Sequence, residues 1–155
     1  MSIHKTGRGR RSLHARVQML AEFRFRLRQF LSFSEEAAEA VGTSAQQYQL
    51  LQVIEGAPDG VPASISYIAE RMVLRHNSAV ELVGRAERMG LVQREEDASD
   101  HRRALITLTE AGRALLTTLV AQHWTELEQS GPELRTALDR LLTESLPRRK
   151  KRETL

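Results

Sequence analysis

Residues 64 to 108 decide how this chain is read. They run Ser-Ile-Ser-Tyr-Ile-Ala-Glu-Arg-Met (64–72), Val-Leu-Arg-His-Asn-Ser-Ala-Val-Glu-Leu-Val-Gly-Arg-Ala-Glu-Arg-Met-Gly (73–90), Leu-Val-Gln-Arg (91–94), a charged segment (95–103) and Ala-Leu-Ile-Thr-Leu (104–108). Ser64 is placed to cap a short helix whose inward residues are Ile65, Ile68, Ala69 and Met72. Val73-Leu74 makes a turn, with Leu74 as its buried pivot. A second helix is expected from Arg75 to Met89, burying Ala79, Leu82, Val83, Ala86 and Met89. Gly90 is a left-handed stop. Leu91–Arg94 and Ala104–Leu108 then read as a hairpin with a charged tip. Two helices joined by a turn, with a hairpin behind them, follow the winged helix-turn-helix plan.

Working outward, Leu13, Val17, Leu20, Phe23, Leu27, Phe30 and Leu31 recur at three- and four-residue steps and predict one helix from Leu13 to Phe33. Phe25 and Phe33 fall off that stripe, which suits a second partner such as another subunit, or else two tolerated exposed aromatics. Gly42 stops the polar segment that follows. Thr43 or Ser44, with Gln46 or Gln47 behind it, opens the next helix, and Tyr48, Leu51 and Ile54 are its buried face. Gly56 to Gly60 is a loop, and Val61-Pro62-Ala63 a short extended piece beside the hairpin. Thr109 caps a long helix, Glu110 to about Gln129, with Leu115, Leu116, Leu119, Trp124 and Leu127 on its stripe. Ser130-Gly131-Pro132 is expected to break it and Pro132 to begin a last helix.

The fold class is therefore mainly α. The expected organisation is a flexible basic arm (1–11), an N-terminal dimerisation helix (12–40), a winged helix-turn-helix DNA-binding unit (41–108), C-terminal dimerisation helices (109–147) and a basic tail (148–155). There is no cysteine, which excludes disulfides and thiolate catalysis. No apolar run approaches the roughly 20 residues of a membrane span, and no apolar signal core follows the basic start, so a cytoplasmic protein without membrane contact is expected. The net charge of +3 decides little by itself. Its distribution says more, because Arg8, Arg10, Arg11 and Arg148 to Arg152 put basic clusters at both ends; these suit either solubility or phosphate attraction.

The chemistry concentrates on the second helix of the central unit. A helix N-terminus presents free N–H groups and partial positive charge, suited to a phosphate or to the floor of a DNA groove. Arg75 and Arg85 suit guanine edges or phosphates, Asn77 the two-bond contact with adenine, and Glu81 a cytosine amino group. His76 and Ser78 suit base or backbone. The competing reading of this face is an ordinary solvated helix surface. In the hairpin tip, Asp97 and Asp100 sit close in sequence to Arg102 and Arg103. A carboxylate–guanidinium pair fixes an arginine's direction, and an arginine so aimed suits a narrow minor groove. A tip kept polar for solubility is the alternative.

The element order, the Leu91-Val92-Gln93-Arg94 strand, the Asp97-x-x-Asp100-x-Arg102 tip and the Leu108-Thr109-Glu110-Ala111-Gly112 exit resemble the MarR family of bacterial transcription regulators, over roughly residues 45–119. The resemblance implies a homodimer with interlocking first and last helices, each subunit offering one winged unit to a palindromic operator in double-stranded DNA. It implies that Arg102 is the minor-groove arginine with Asp100 as its guide, and that Arg75, His76, Asn77, Ser78 and Glu81 lie in the base-reading segment. Ser99 departs from the family's frequent arginine, with Arg103 as a possible substitute, and Gly84 is a helix-weakening residue in the reading helix.

The expected function is thus a DNA-binding transcriptional regulator, a repressor by preference, with Arg75, His76, Asn77, Ser78, Glu81, Arg85, Asp100, Arg102 and Arg103 at the DNA. The resemblance also implies release by a small aromatic ligand, with Phe30, Tyr48, Tyr67 and Trp124 as candidate lining; core aromatics are the competing reading. No catalytic motif, phosphate loop or cofactor motif is present, so an enzyme is not expected. His4, His14, His76, His101 and His123 lack ligand-like spacing, and no metal is expected. The runner-up is a winged-helix module that binds another protein without specific DNA binding.

Overall fold

A computed structural model describes residues 5–96 and 104–145. In order the elements are α1 (Lys5–Ala40), α2 (Ala45–Glu55), α3 (Ile65–Arg71), α4 (His76–Arg88), β1 (Val92–Glu96), β2 (Ala104–Leu108) and α5 (Glu110–Ser145). The chain divides into two compact units. One is formed by residues 34–124, the other by the described residues before 34 and after 124.

The unit of residues 34–124 holds the main core. Tyr48, Leu50, Leu51, Ile68, Leu82, Val83, Ile106 and Leu119 are essentially free of solvent. They come from α2, α3, α4, β2 and the first turns of α5, so each element contributes one face. Local chemistry sets the helix starts. Ser44 Oγ accepts from Gln47 N, Ser64 Oγ from Tyr67 N, and Thr109 Oγ1 from Gly112 N. Each satisfies a backbone N–H that a helix start leaves unpaired. The reciprocal half of a capping box is absent at α2, because Gln47 is buried and its Nε2 donates to Leu82 O.

The two strands pair antiparallel, with Val92 opposite Leu108 and Arg94 opposite Ile106. Val92, Ile106 and Leu108 are buried, which seats the hairpin base on the core. Ile106 N also donates to Ala63 O, so the extended piece before α3 lies beside β2 as expected. The first strand starts one residue later and ends two residues later than its sequence reading, at Val92–Glu96.

The helix bounds differ more at the ends of the chain. α1 begins at Lys5, inside the segment expected to be a flexible arm, and runs through the polar stretch to Ala40. Extending an established helix adds one hydrogen bond per residue fixed, so sequence without apolar periodicity can continue it. α5 passes through Pro132 without ending, where a break was expected. Leu127, Leu134, Leu138 and Leu141 keep helical spacing across the proline, so the same face serves both halves.

Several inward assignments fail, Leu127 on α5 among them. Met89 is 48% exposed because the buried stripe of α4 closes one turn earlier, at Ala86. Trp124 is 67% exposed on α5. In the other unit, Leu13, Val17, Leu20, Phe25 and Leu31 of α1 are exposed. Arg26 stands over the Phe25 ring and pairs with both Glu22 and Glu133. Among the described residues no helix is long and apolar enough to cross a membrane.

Candidate nucleic-acid interface

The turn between α3 and α4 sets the exposure of the second helix. Val73 N donates to Glu70 O and Leu74 N to Ala69 O. This is the paired closure of a Schellman motif, which puts the residue between the two bonds in the left-handed region. The α1 and α4 ends close the same way around Gly42 (φ 78°) and Gly90 (φ 72°). At α3 the residue is Val73, with φ 55°. A β-branched side chain there costs about 1–2 kcal/mol relative to glycine. Leu74 is half-buried against the core, which agrees with its reading as the pivot.

α4 then presents an open N-terminus. Arg75 is its N-cap, one residue outside the helix, and makes no side-chain capping bond. The first turn carries no acidic residue, so the helix's partial positive charge is uncompensated there. Ala79, Leu82, Val83 and Ala86 are buried. Arg75, His76, Asn77, Ser78, Glu81 and Arg85 are all exposed, as the periodicity requires. The structure therefore brings these six side chains onto one solvent-facing end and side of one helix.

Further along, Arg85 donates from Nη2 to Gln46 Oε1 at 3.3 Å, which draws its guanidinium toward α2. Arg94 of β1 pairs with Glu87 at 3.1 Å and ties the hairpin to the helix. Val80, Glu81, Gly84, Arg85, Arg88 and Arg94 edge a hollow of about 510 Å³ on this side. Neither Arg94 nor Val73 was singled out as functional from sequence. Arg94 was legible only as a strand residue, and the sign of a valine's φ leaves no mark in composition. The remaining interface assignments, Asp100, Arg102 and Arg103, lie outside the described residues, as does Asp97.

The candidate ligand residues fall in different settings. Tyr48 is core, its hydroxyl accepting from Gln52 Nε2 and its ring 4.4 Å from that of His123. Burial pushes its phenol above the usual range. Tyr67 is half-buried and edges a hollow of about 390 Å³ with Gln49, Gln52 and Arg71. Trp124 faces solvent, and Phe30 is half-buried in the other unit. Among the described residues no group of three or more His, Asp or Glu side chains is placed to hold a metal ion.

Residues 41–103 match the family model described as MarR family. No curated protein matches the sequence. Among solved structures, AbsC, a MarR family transcriptional regulator from Streptomyces coelicolor, is similar at 22% identity and TM-score 0.63, covering 92% of this chain and 93% of its own. A mutant MarR from E. coli complexed with operator DNA is similar at 19% identity and TM-score 0.63, covering 80% and 90%. The S. aureus MepR–DNA complex is similar at 22% identity and TM-score 0.57, covering 78% and 95%. Residues 41–103 thus match the MarR-family model, and the chain has the fold of solved MarR-family transcription regulators.

Proposed function

We propose that this protein is a DNA-binding transcriptional regulator, acting as a repressor on a palindromic operator as a homodimer. The observation that carries the reading is α4: a helix buried along one stripe, with an uncapped, uncompensated N-terminus and a wholly exposed polar face. Such an end attracts phosphate and groove potential. Arg75, His76, Asn77, Ser78, Glu81 and Arg85 supply donors and acceptors for base edges in the major groove. The family members solved on DNA lend the same reading.

In this reading Arg102, steered by Asp100 and supported by Arg103, enters the flanking minor groove. A small aromatic compound lifts the protein from DNA, and Tyr67, which edges a hollow together with Arg71, is the one of the four we favour as its contact. The test is an electrophoretic shift titration on a duplex selected from a random library. Arg102→Ala is expected to weaken binding by about tenfold or more, because a groove-inserted arginine is worth at least 1–2 kcal/mol, with the melting temperature unchanged. Unaltered affinity would remove Arg102 from the interface. Failure of the wild-type protein to retain any duplex at low salt would remove the whole proposal.

A further inference from the structure

Val73 combines a strained backbone with an apolar side chain that the fold does not use. Its backbone sits in the left-handed region at φ 55°, which L side chains with a branched Cβ avoid. The residue is 92% exposed, so packing within the chain returns little for that strain. The same closure at the ends of α1 and α4 is made with glycine. The backbone bonds of the turn hold Val73 in this conformation, but they ask for no valine side chain, and an apolar group strained and left in water points to a partner outside the chain.

Its position says which partner. Val73 lies two residues before Arg75, the N-cap of α4, and so beside the exposed polar end of that helix. Arg75, His76, Asn77 and Ser78 supply charge and hydrogen bonds there, whereas Val73 is the apolar group at this tip. The edges of base pairs in the major groove offer one apolar feature, the C5-methyl of thymine. A valine is also stiff at χ1, so a methyl pair presented in this way loses little freedom on contact.

We propose that Val73 is a specificity-determining residue that packs its methyl groups against a thymine C5-methyl at the edge of the segment read by α4. The inference rests on the DNA-binding reading and adds to it an apolar contact at the turn.

The test pairs one protein change with one DNA change. The probe is the duplex selected by the wild-type protein, alongside copies in which each thymine in turn is replaced by deoxyuridine, which removes only the methyl group. Val73→Ala keeps an L side chain in the turn and removes the two methyl groups. One deoxyuridine position in each half-site is expected to weaken the wild-type protein by about fourfold, the worth of one buried methyl-sized group. Val73→Ala, which acts in both half-sites of the homodimer's operator, is expected to lose about fourfold per half-site, about sixteenfold on the unmodified duplex, and nothing more when that thymine is replaced. Val73→Gly is expected to melt at a higher temperature than the wild type while sharing the loss of affinity. The inference is overturned if Val73→Ala binds the unmodified duplex as well as the wild type, or if its loss adds to that of every deoxyuridine substitution. If the wild-type protein selects no duplex at all, the DNA-binding reading itself has failed. If it selects one but shows no coupling, this inference alone has failed.

Discussion

A methyl group on Gly112 would have no room. The Cβ of any other residue there would stand 2.0 Å from Leu91 O, a backbone atom that cannot swing aside. Leu91 O already accepts from Thr109 N, and Thr109 Oγ1 donates to Gly90 O while accepting from Gly112 N. The end of α4, the start of the hairpin and the start of α5 are therefore knotted together through three consecutive hydrogen bonds around one glycine. Gly112→Ala must prise this knot open. A loss of about 1–3 kcal/mol or more is expected, the usual penalty for overpacking, read as a lower denaturant midpoint with an unchanged slope. Stability equal to the wild type would show that α5 can shift without consequence. A buried polar pair three turns further along α5 acts in the same residue-scale way. His123 Nδ1 lies 2.7 Å from Leu119 O and its Nε2 2.8 Å from Ser34 Oγ, so α1 and α5 are joined by a side chain whose hydrogen bonds are both met inside the unit.

At the scale of elements, α5 carries the most instructive departure. Pro132 has no N–H, so Glu128 O lacks its donor four residues on. Nearby hydroxyls stay with the helix: Ser130 Oγ donates to Glu126 O and Thr136 Oγ1 to Pro132 O. An interior proline costs about 3 kcal/mol relative to alanine. Pro132→Ala is expected to recover part of that and raise the melting temperature, with unchanged helical content by circular dichroism. A fall in stability would mean that the proline's shape is needed at this point of the helix. Sequence reading failed here because a local rule, that proline interrupts a helix, opposed a longer-range one, the unbroken leucine spacing on either side. It succeeded where the two agreed. The buried faces of α2, α3 and α4, the serine caps and the hairpin all follow from short periodicities and capping chemistry, and the exposed face of α4 follows as their complement. Periodicity cannot mark where a buried stripe ends, as at Met89, and at Trp124 it is the neighbouring His123 that follows Leu116 and Leu119 into the core. Nor can it show backbone handedness at Val73, or a cross-element pair such as Glu87 with Arg94.

For the molecule as a whole, the unused apolar surface sets the next step. Leu13, Val17, Leu20 and Phe25 on α1 and Leu138 and Leu142 on α5 are each 40% or more exposed in the single chain. The spacing of Leu13, Val17 and Leu20 on α1 is that of a core-facing stripe, with Phe25 beside it, yet the chain alone leaves them in water. A second copy is the partner that the DNA-binding reading also needs, because one α4 and one hairpin touch too few base pairs for a useful site. Two of them set roughly 34 Å apart would read both halves of a palindrome. The expected state is a dimer at micromolar concentration by sedimentation, with a melting temperature that rises with protein concentration. Leu20→Glu places a carboxylate on the stripe and is expected to shift the protein toward monomer while circular dichroism still reports helix. Affinity for the selected duplex should then fall by about 10³-fold or more, toward the non-specific level, because each half-site is left to a lone winged unit. A wild-type protein that sediments as a monomer at tens of micromolar, about the upper end of ordinary working concentrations, would break the link between the apolar stripe and the palindrome. So would a Leu20→Glu variant that keeps full affinity.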